Sequence, residues 1–321
     1  MPVTSASATF RSPALLPDER RYGATGPGRP VNGRRPAGSP NRLAQPARGD
    51  GAVRVAPMAD PVGAVDPARP GPAARTFRHV RLRDAEFRGT GLTGVRFRGV
   101  ELDGVVLRGA YLKDVEVHGE IEGLTVNGVD VAAYVRAELD RRDPERVLLR
   151  PTDADGFRRA WDLVERRWAG TVDRAAGLDP ELLHRSVEGE WSFVETLRHL
   201  VFATDSWVRR AMLGDPAPWD PLDLPWDEMR DTPGIPRDRT ARPSLDTVLA
   251  LRRDRMATVR EVFGRLTDAD LDGHTEPVDA PGWPRPDRYP VRLCLETVLT
   301  EEWEHRLFAE RDLDVLAGPA S

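Results

Sequence analysis

From Phe77 onward an apolar residue returns at every fifth position: Phe77, Leu82, Phe87, Leu92, Phe97, Leu102, Leu107, Leu112 and Val117. Two residues before most of these centres stands a small or β-branched residue (Ala85, Thr90, Val95, Val100, Val105, Ala110, Val115). Two residues after them there is usually a glycine, as at Gly89, Gly94, Gly99, Gly104, Gly109 and Gly119. A period of five matches neither a helix nor a flat strand. It fits a coil with four short sides, in which each centre points inward and each glycine eases a corner. Nine centres make little more than two coils, so the segment has to lean on something else, because a coil is covered only by its neighbours.

The flanks read differently. Residues 1–74 hold ten arginines against five acids, much of the proline and almost no apolar periodicity. Such a composition cannot bury enough surface to offset chain entropy, and the arm is read as disordered. After the repeat, Asn127-Gly128 marks a turn, and Asp130 is placed to cap a short helix bearing Val131, Tyr134, Val135 and Leu139. Four segments result: the arm 1–74, the coil 75–129, a capping helix and linker 130–151, and a helical bundle 152–316.

Composition removes several function classes. A net charge of −5 with a pI near 5.8 leaves no basic footprint for nucleic acid, and the arginines of the arm are too sparse to make one. The single cysteine, Cys294, excludes an intramolecular disulfide and a thiolate zinc cluster, so any metal must be held by histidine and carboxylate. No run of about 18 apolar residues predicts a membrane span. Arg20-Arg21 is followed by no apolar stretch, so a twin-arginine signal is not expected either. The expected address is the cytoplasm.

Past Pro151 the period becomes that of a helix. Phe157, Trp161, Val164, Trp168 and Val172 form one stripe, with Thr152 or Asp153 available as cap. Ser192 and Glu195 form a capping box that opens a second helix, expected to run to about Met212 and stop at Gly214. A third starts near Ser244 and carries Leu245, Val248, Met256, Val259, Phe263 and Leu266. A fourth follows Pro290.

On that last helix Cys294, Val298, Glu301, His305 and Phe308 advance by four, three, four and three, which places a carboxylate and an imidazole on a core stripe. A buried carboxylate is costly unless it meets a cation. The alternatives are an exposed Glu301–His305 pair on a misplaced stripe, and an ordinary core histidine at His199. Two long connections, 214–243 with Trp219, Trp226 and Met229, and 272–290 with His274, Trp283 and Tyr289, read as packed walls or lids, or as simple loop packing. His274 reads as an exposed loop residue. Cys294, on the apolar stripe, reads as an inert core thiol.

Two resemblances extend this reading. The repeat resembles the pentapeptide repeat family, which implies a short right-handed quadrilateral β-helix. Some members mimic DNA with an acidic surface, but residues 76–128 hold eight acids and eight bases, so a docking or dimerising wall is expected, with a homodimer as the assembly it would support. Residues 152–316 resemble the DinB/YfiT-like superfamily of four-helix metalloenzymes. The resemblance is carried by Gly-Glu-Trp-Ser-Phe-Val-Glu-Thr-Leu-Arg-His-Leu at 189–200 and Glu-Glu-Trp-Glu-His-Arg-Leu-Phe-Ala-Glu-Arg-Asp-Leu at 301–313.

By matching motif the resemblance implies His199, Glu301 and His305 as ligands of one divalent metal, in a DinB-like four-helix bundle. Many relatives carry histidine where this chain has Glu301, and the mycothiol-dependent maleylpyruvate isomerase branch is similar in using glutamate. Two imidazoles and a carboxylate suit zinc, which is favoured, with nickel or iron as further candidates. Asp205 or Glu195, on the helix of His199, are the expected acceptors for its second ring nitrogen. The implied function is transfer or isomerisation of a small-molecule electrophile with a low-molecular-weight thiol such as mycothiol. The competing expectation is a non-catalytic binding module with a structural metal or none.

Overall fold

The computed structural model describes residue 80, residues 82–227 and residues 229–318. The arm 1–74 and the first repeat centre, Phe77, lie outside these residues. The described residues divide into two units, with the boundary between Arg96 and Phe97.

In the first unit, Asp84, Gly89 and Gly94 adopt positive φ, and the Ala85 and Val95 amides close turns onto the Leu82 and Leu92 carbonyls at 3.3 and 3.2 Å. In the second unit the same spacing continues through Gly99, Gly104, Gly109, Asp114 and Gly119. A left-handed corner therefore recurs at every fifth residue, and glycine is frequent there because it has no Cβ to clash. The centres, however, are exposed: Phe87 by 64%, Phe97 by 62% and Leu107 by 68%. The expected inward core is not formed among the described residues, for a coil interior becomes dry only when further coils stack on it.

Among the described residues the strands are β1 (Thr125–Val126) and β2 (Val129–Asp130), paired antiparallel through the Asn127-Gly128 turn, both of whose residues take positive φ. Asp130 accepts the Ala132 amide at 3.0 Å and starts α1 (Ala132–Arg142), which buries no residue fully. A 3-10 turn, Pro144–Leu149, follows.

Four long helices then pack side by side. They are α2 (Ala154–Ala176), α3 (Phe193–Thr204, continued by a π-helical segment Asp205–Met212), α4 (Leu245–Arg265) and α6 (Val291–Ala317). A one-turn α5 (Asp268–Leu271) precedes α6. Both α2 and α3 lie against α4 and α6, so these pairs occupy opposite diagonals. The caps arise from the side chains the sequence offers. Asp153 accepts the Gly156 amide at 2.6 Å, and Ser244 accepts that of Thr247 at 3.2 Å, satisfying amides that have no partner within the helix.

Apolar stripes close the core. Phe157 and Trp161 of α2 meet Phe263 of α4 edge-on at 5.7 and 5.6 Å. Burying each such ring contributes about 2 kcal/mol or more. Among the described residues no helix is long and apolar enough to cross a membrane.

The two long connections are packed walls. Trp226 of the first meets Trp283 of the second at 5.0 Å, and Trp219 stacks on Phe202 at 5.5 Å. Each connection is also tied by a buried arginine. Arg198 donates to the carbonyls of Leu222, Asp238 and Ala241, and Arg210 to those of Pro216, Val278, Ala280 and Pro284. Carbonyl acceptors make up for the water a buried guanidinium loses.

Candidate metal centre

Ser192 fixes the start of α3 with a complete capping box: its amide donates to Glu195 Oε2 at 2.8 Å, and its hydroxyl accepts the Glu195 amide at 3.4 Å. The helix is apolar nearly all round and enclosed, which puts His199 inside the bundle. On α6 the stripe of steps four, three and four holds Cys294, Val298, Glu301 and His305 at 2% exposure or less. His199, Glu301 and His305 thus meet, with one ligand atom from each within 4.8 Å of the others. Glu301 Oε2 lies 3.3 Å from His199 Nε2 and 3.3 Å from His305 Nδ1.

The hydrogen bonds select the ring forms. His199 Nδ1 donates to the Leu224 carbonyl at 2.9 Å, and His305 Nδ1 to the Glu301 carbonyl one turn back at 2.9 Å. Both Nε2 atoms are then left with a lone pair. Burial pushes both imidazoles down to about 4; for His305 the Glu301 carboxylate opposes that shift in part. At neutral pH the rings are neutral, the form that ligates a metal. His305 Nε2 is buried with no hydrogen-bond partner. A lone pair of His199 facing a carboxylate oxygen at 3.3 Å is repulsive unless a cation stands near both. The donor set therefore fits a divalent cation, and the backbone carbonyls behind the rings are the acceptors that ligating imidazoles ordinarily have.

Around this centre the walls are aromatic. The Trp191 ring lies 4.4 Å from that of His199 and stacks on that of His305 at 5.8 Å, while Phe202 and Phe308 each approach an imidazole at 6.2 Å. One residue beyond Glu301, the Glu302 carboxylate receives both arms of Arg252 at 2.6 and 2.8 Å, and its carbonyl accepts from Trp168 Nε1 at 3.1 Å. Burial, then the charges of Glu120 and Glu301, also hold the Glu304 carboxyl above its ordinary value.

One expectation needs correction. Neither Asp205 nor Glu195 receives His199: Asp205 is held by Arg255 at 2.7 and 3.0 Å, and Glu195 is used in the capping box. The Leu224 carbonyl takes their place, because the connection after Gly214 folds back over α3. His274 is exposed and stands apart from the three residues, and Cys294 is buried, its thiol pushed up to about 12 by burial.

Residues that sequence reasoning passed over include Trp191, Arg252 and Arg255. The arginines could have been noticed, since 252 and 255 continue the helical steps from Val248 to Val259 and so fall on the buried stripe.

Residues 163–309 match the family model of the DinB superfamily, and residues 76–119 match pentapeptide repeats in eight copies. No curated protein and no solved structure matches the chain.

Proposed function

With a DinB superfamily domain at residues 163–309 and a pentapeptide repeat at 76–119 as premise, we propose that His199, Glu301 and His305 hold one divalent metal for thiol-dependent transfer or isomerisation of a small electrophile. Zinc is favoured, nickel and iron are alternatives, and mycothiol is the thiol suggested by glutamate at 301. The observation that carries the reading is the convergence of two neutral, buried imidazoles on a buried carboxylate.

When bound, the metal would lower the pKa of a thiol at its remaining position and keep it as the thiolate. The chain's own residues prepare for that. Glu301 supplies negative charge to hold the cation, the Leu224 and Glu301 carbonyls fix the ring orientations, and Trp191 shuts water out. The nucleophile comes from outside, because the Cys294 thiol stays protonated inside the core. The repeat is read as a short right-handed quadrilateral β-helix, supported by its left-handed corner at every fifth residue. It serves as a wall for docking or dimerisation.

The test is elemental analysis of the purified protein beside Glu301→Gln and His305→Ala. About one metal equivalent in the parent and little in both variants supports the site. No metal in the parent after reconstitution with zinc, nickel and iron(II) refutes it. One observation favours a second reading, a structural metal in a binding module: all three side chains are at most 2% exposed, which leaves a substrate no open path to them. Exchange of the metal-bound water or thiol by added mycothiol, seen on a cobalt-substituted sample, separates the two.

A further inference from the structure

We propose that the turn from Val187 to Trp191 is the gate to this centre and that Arg98, from the repeat segment, latches it shut. The inference rests on the metal-centre reading.

With the three ligand side chains enclosed, metal or substrate can arrive only if some part of the cover moves. The candidates differ in how they are held. Helices α3 and α6 carry the ligands themselves and pack on each other and on α2 and α4. The connection bearing Leu224 is pinned by Arg198, whose buried guanidinium donates to three of its carbonyls. Moving it would strand a charge away from both water and acceptors.

The Val187–Trp191 turn has much weaker ties. Its internal bonds include those of the Glu190 amide to the Val187 carbonyl at 2.9 Å and of the Ser186 hydroxyl to the Glu190 carbonyl at 2.6 Å. Glu188 and Gly189 both adopt positive φ, a conformation unfavourable for a residue with a Cβ. The Trp191 indole N–H is buried without a hydrogen-bond partner, so no polar tie keeps that ring over the imidazoles. Directly after it, the capping box fixes Ser192 and makes a firm hinge.

From outside, two arginines face the turn: Arg311 acts on Glu190 and Glu188 through its charge, and Arg98 lies in direct contact. Its guanidinium lies 3.2 Å from Glu190 and 3.7 Å from Glu188, and Gly189 passes so close that an added Cβ would stand 3.4 Å from Arg98 Nη1. Arg98 is 20% exposed and Glu190 18%, so this pair is partly sheltered from water, while that to Glu188 is open to it. A latch made of such pairs yields to salt. It also gives the repeat segment a role at the metal centre, because the turn it holds carries the ring that covers both histidines.

The test is kinetic. Zinc-loaded parent, Arg98→Gln and Arg98→Lys are challenged with a chromophoric chelator at low and at about 0.5 M salt, where exposed pairs are screened. Zinc should leave Arg98→Gln about fivefold faster than the parent, the loss expected for a pair of this exposure. Arg98→Lys should fall between them, and salt should speed the parent more than Arg98→Gln, in which only the charge of Arg311 still faces the turn. A purely structural role for Arg98 would change unfolding without producing this difference in salt response. Equal release rates, or a parent indifferent to salt, would overturn the latch.

A second readout needs no metal: carbethoxylation of His199 and His305 in the metal-free protein, followed by mass spectrometry, should also be about fivefold faster in Arg98→Gln. Failure of the parent to bind zinc would sink the metal centre, whereas equal carbethoxylation rates would sink the gate.

Discussion

Removing one member of the Arg252–Glu302 pair should cost the protein far more than removing both. Arg252 and Glu302 are 3% and 1% exposed, and their two hydrogen bonds of 2.6 and 2.8 Å leave little of either charge for water. Arg252→Met would strand a carboxylate in the bundle and should cost about 3–5 kcal/mol. Loss of the guanidinium over Trp168, 5.2 Å from the ring centre, adds up to about 1 kcal/mol. Glu302→Leu should cost a similar 3–5 kcal/mol by stranding the cation. The double variant removes both charges at similar volume and should return to within about 1 kcal/mol of the parent, which makes the coupling energy several kcal/mol. Urea unfolding followed by far-UV circular dichroism gives each value from the midpoint and slope. Single variants that lose less than about 1 kcal/mol, or a double variant that loses the sum of the singles, would refute the view that this pair is held by mutual compensation.

Three further outcomes follow from the same structure. Asp223 is fully buried with one oxygen unpartnered, and burial, then the nearby Asp205 charge, raises its pKa well above the ordinary carboxylate value. Its folded form holds the proton where the unfolded chain has lost it, so stability should be full below about pH 4 for this group and fall as pH rises through the folded pKa. Asp223→Asn should be the more stable protein at pH 8 and show no such fall, as chemical unfolding at pH 5 and pH 8 would reveal. Gly282→Ala places a methyl group 2.6 Å from Arg210 Cζ, within the carbonyl cage of that arginine, and should lose about 1–3 kcal/mol in a thermal melt; an unchanged melting temperature would contradict the cage. Cys294 should resist iodoacetamide at pH 8 in the folded protein and react at once in urea, since its thiol is enclosed and pushed up to about 12.

Much of the helical part was legible beforehand, for reasons that lie in short stretches of chain. Ser192 with Glu195, Asp153, Ser244 and Pro290 sit where helices begin because a helix end needs an acceptor or a residue without an amide proton. Glu301 and His305 share a face because four residues make about one turn. In the repeat the corners were legible from glycine, while Asp84 and Asp114 take the same conformation without that signal. Among the described residues the centres expected to be buried in the coil are exposed. Burial there depends on how many coils stack, and a local period of five does not determine that.

Periodicity and capping act over a few residues, so they sufficed to show where the helices start and which face of α6 turns inward, whereas the grouping of His199 with Glu301 and His305 came from the resemblance to the DinB/YfiT-like superfamily. The packing of distant segments is what sets the Leu224 carbonyl behind His199, lays Trp191 over both imidazoles and brings Arg98 to the turn in front of them. Every residue has the same carbonyl, and an ion pair between residues ninety positions apart has no period. Such contacts exist only once the packing of distant segments has placed them.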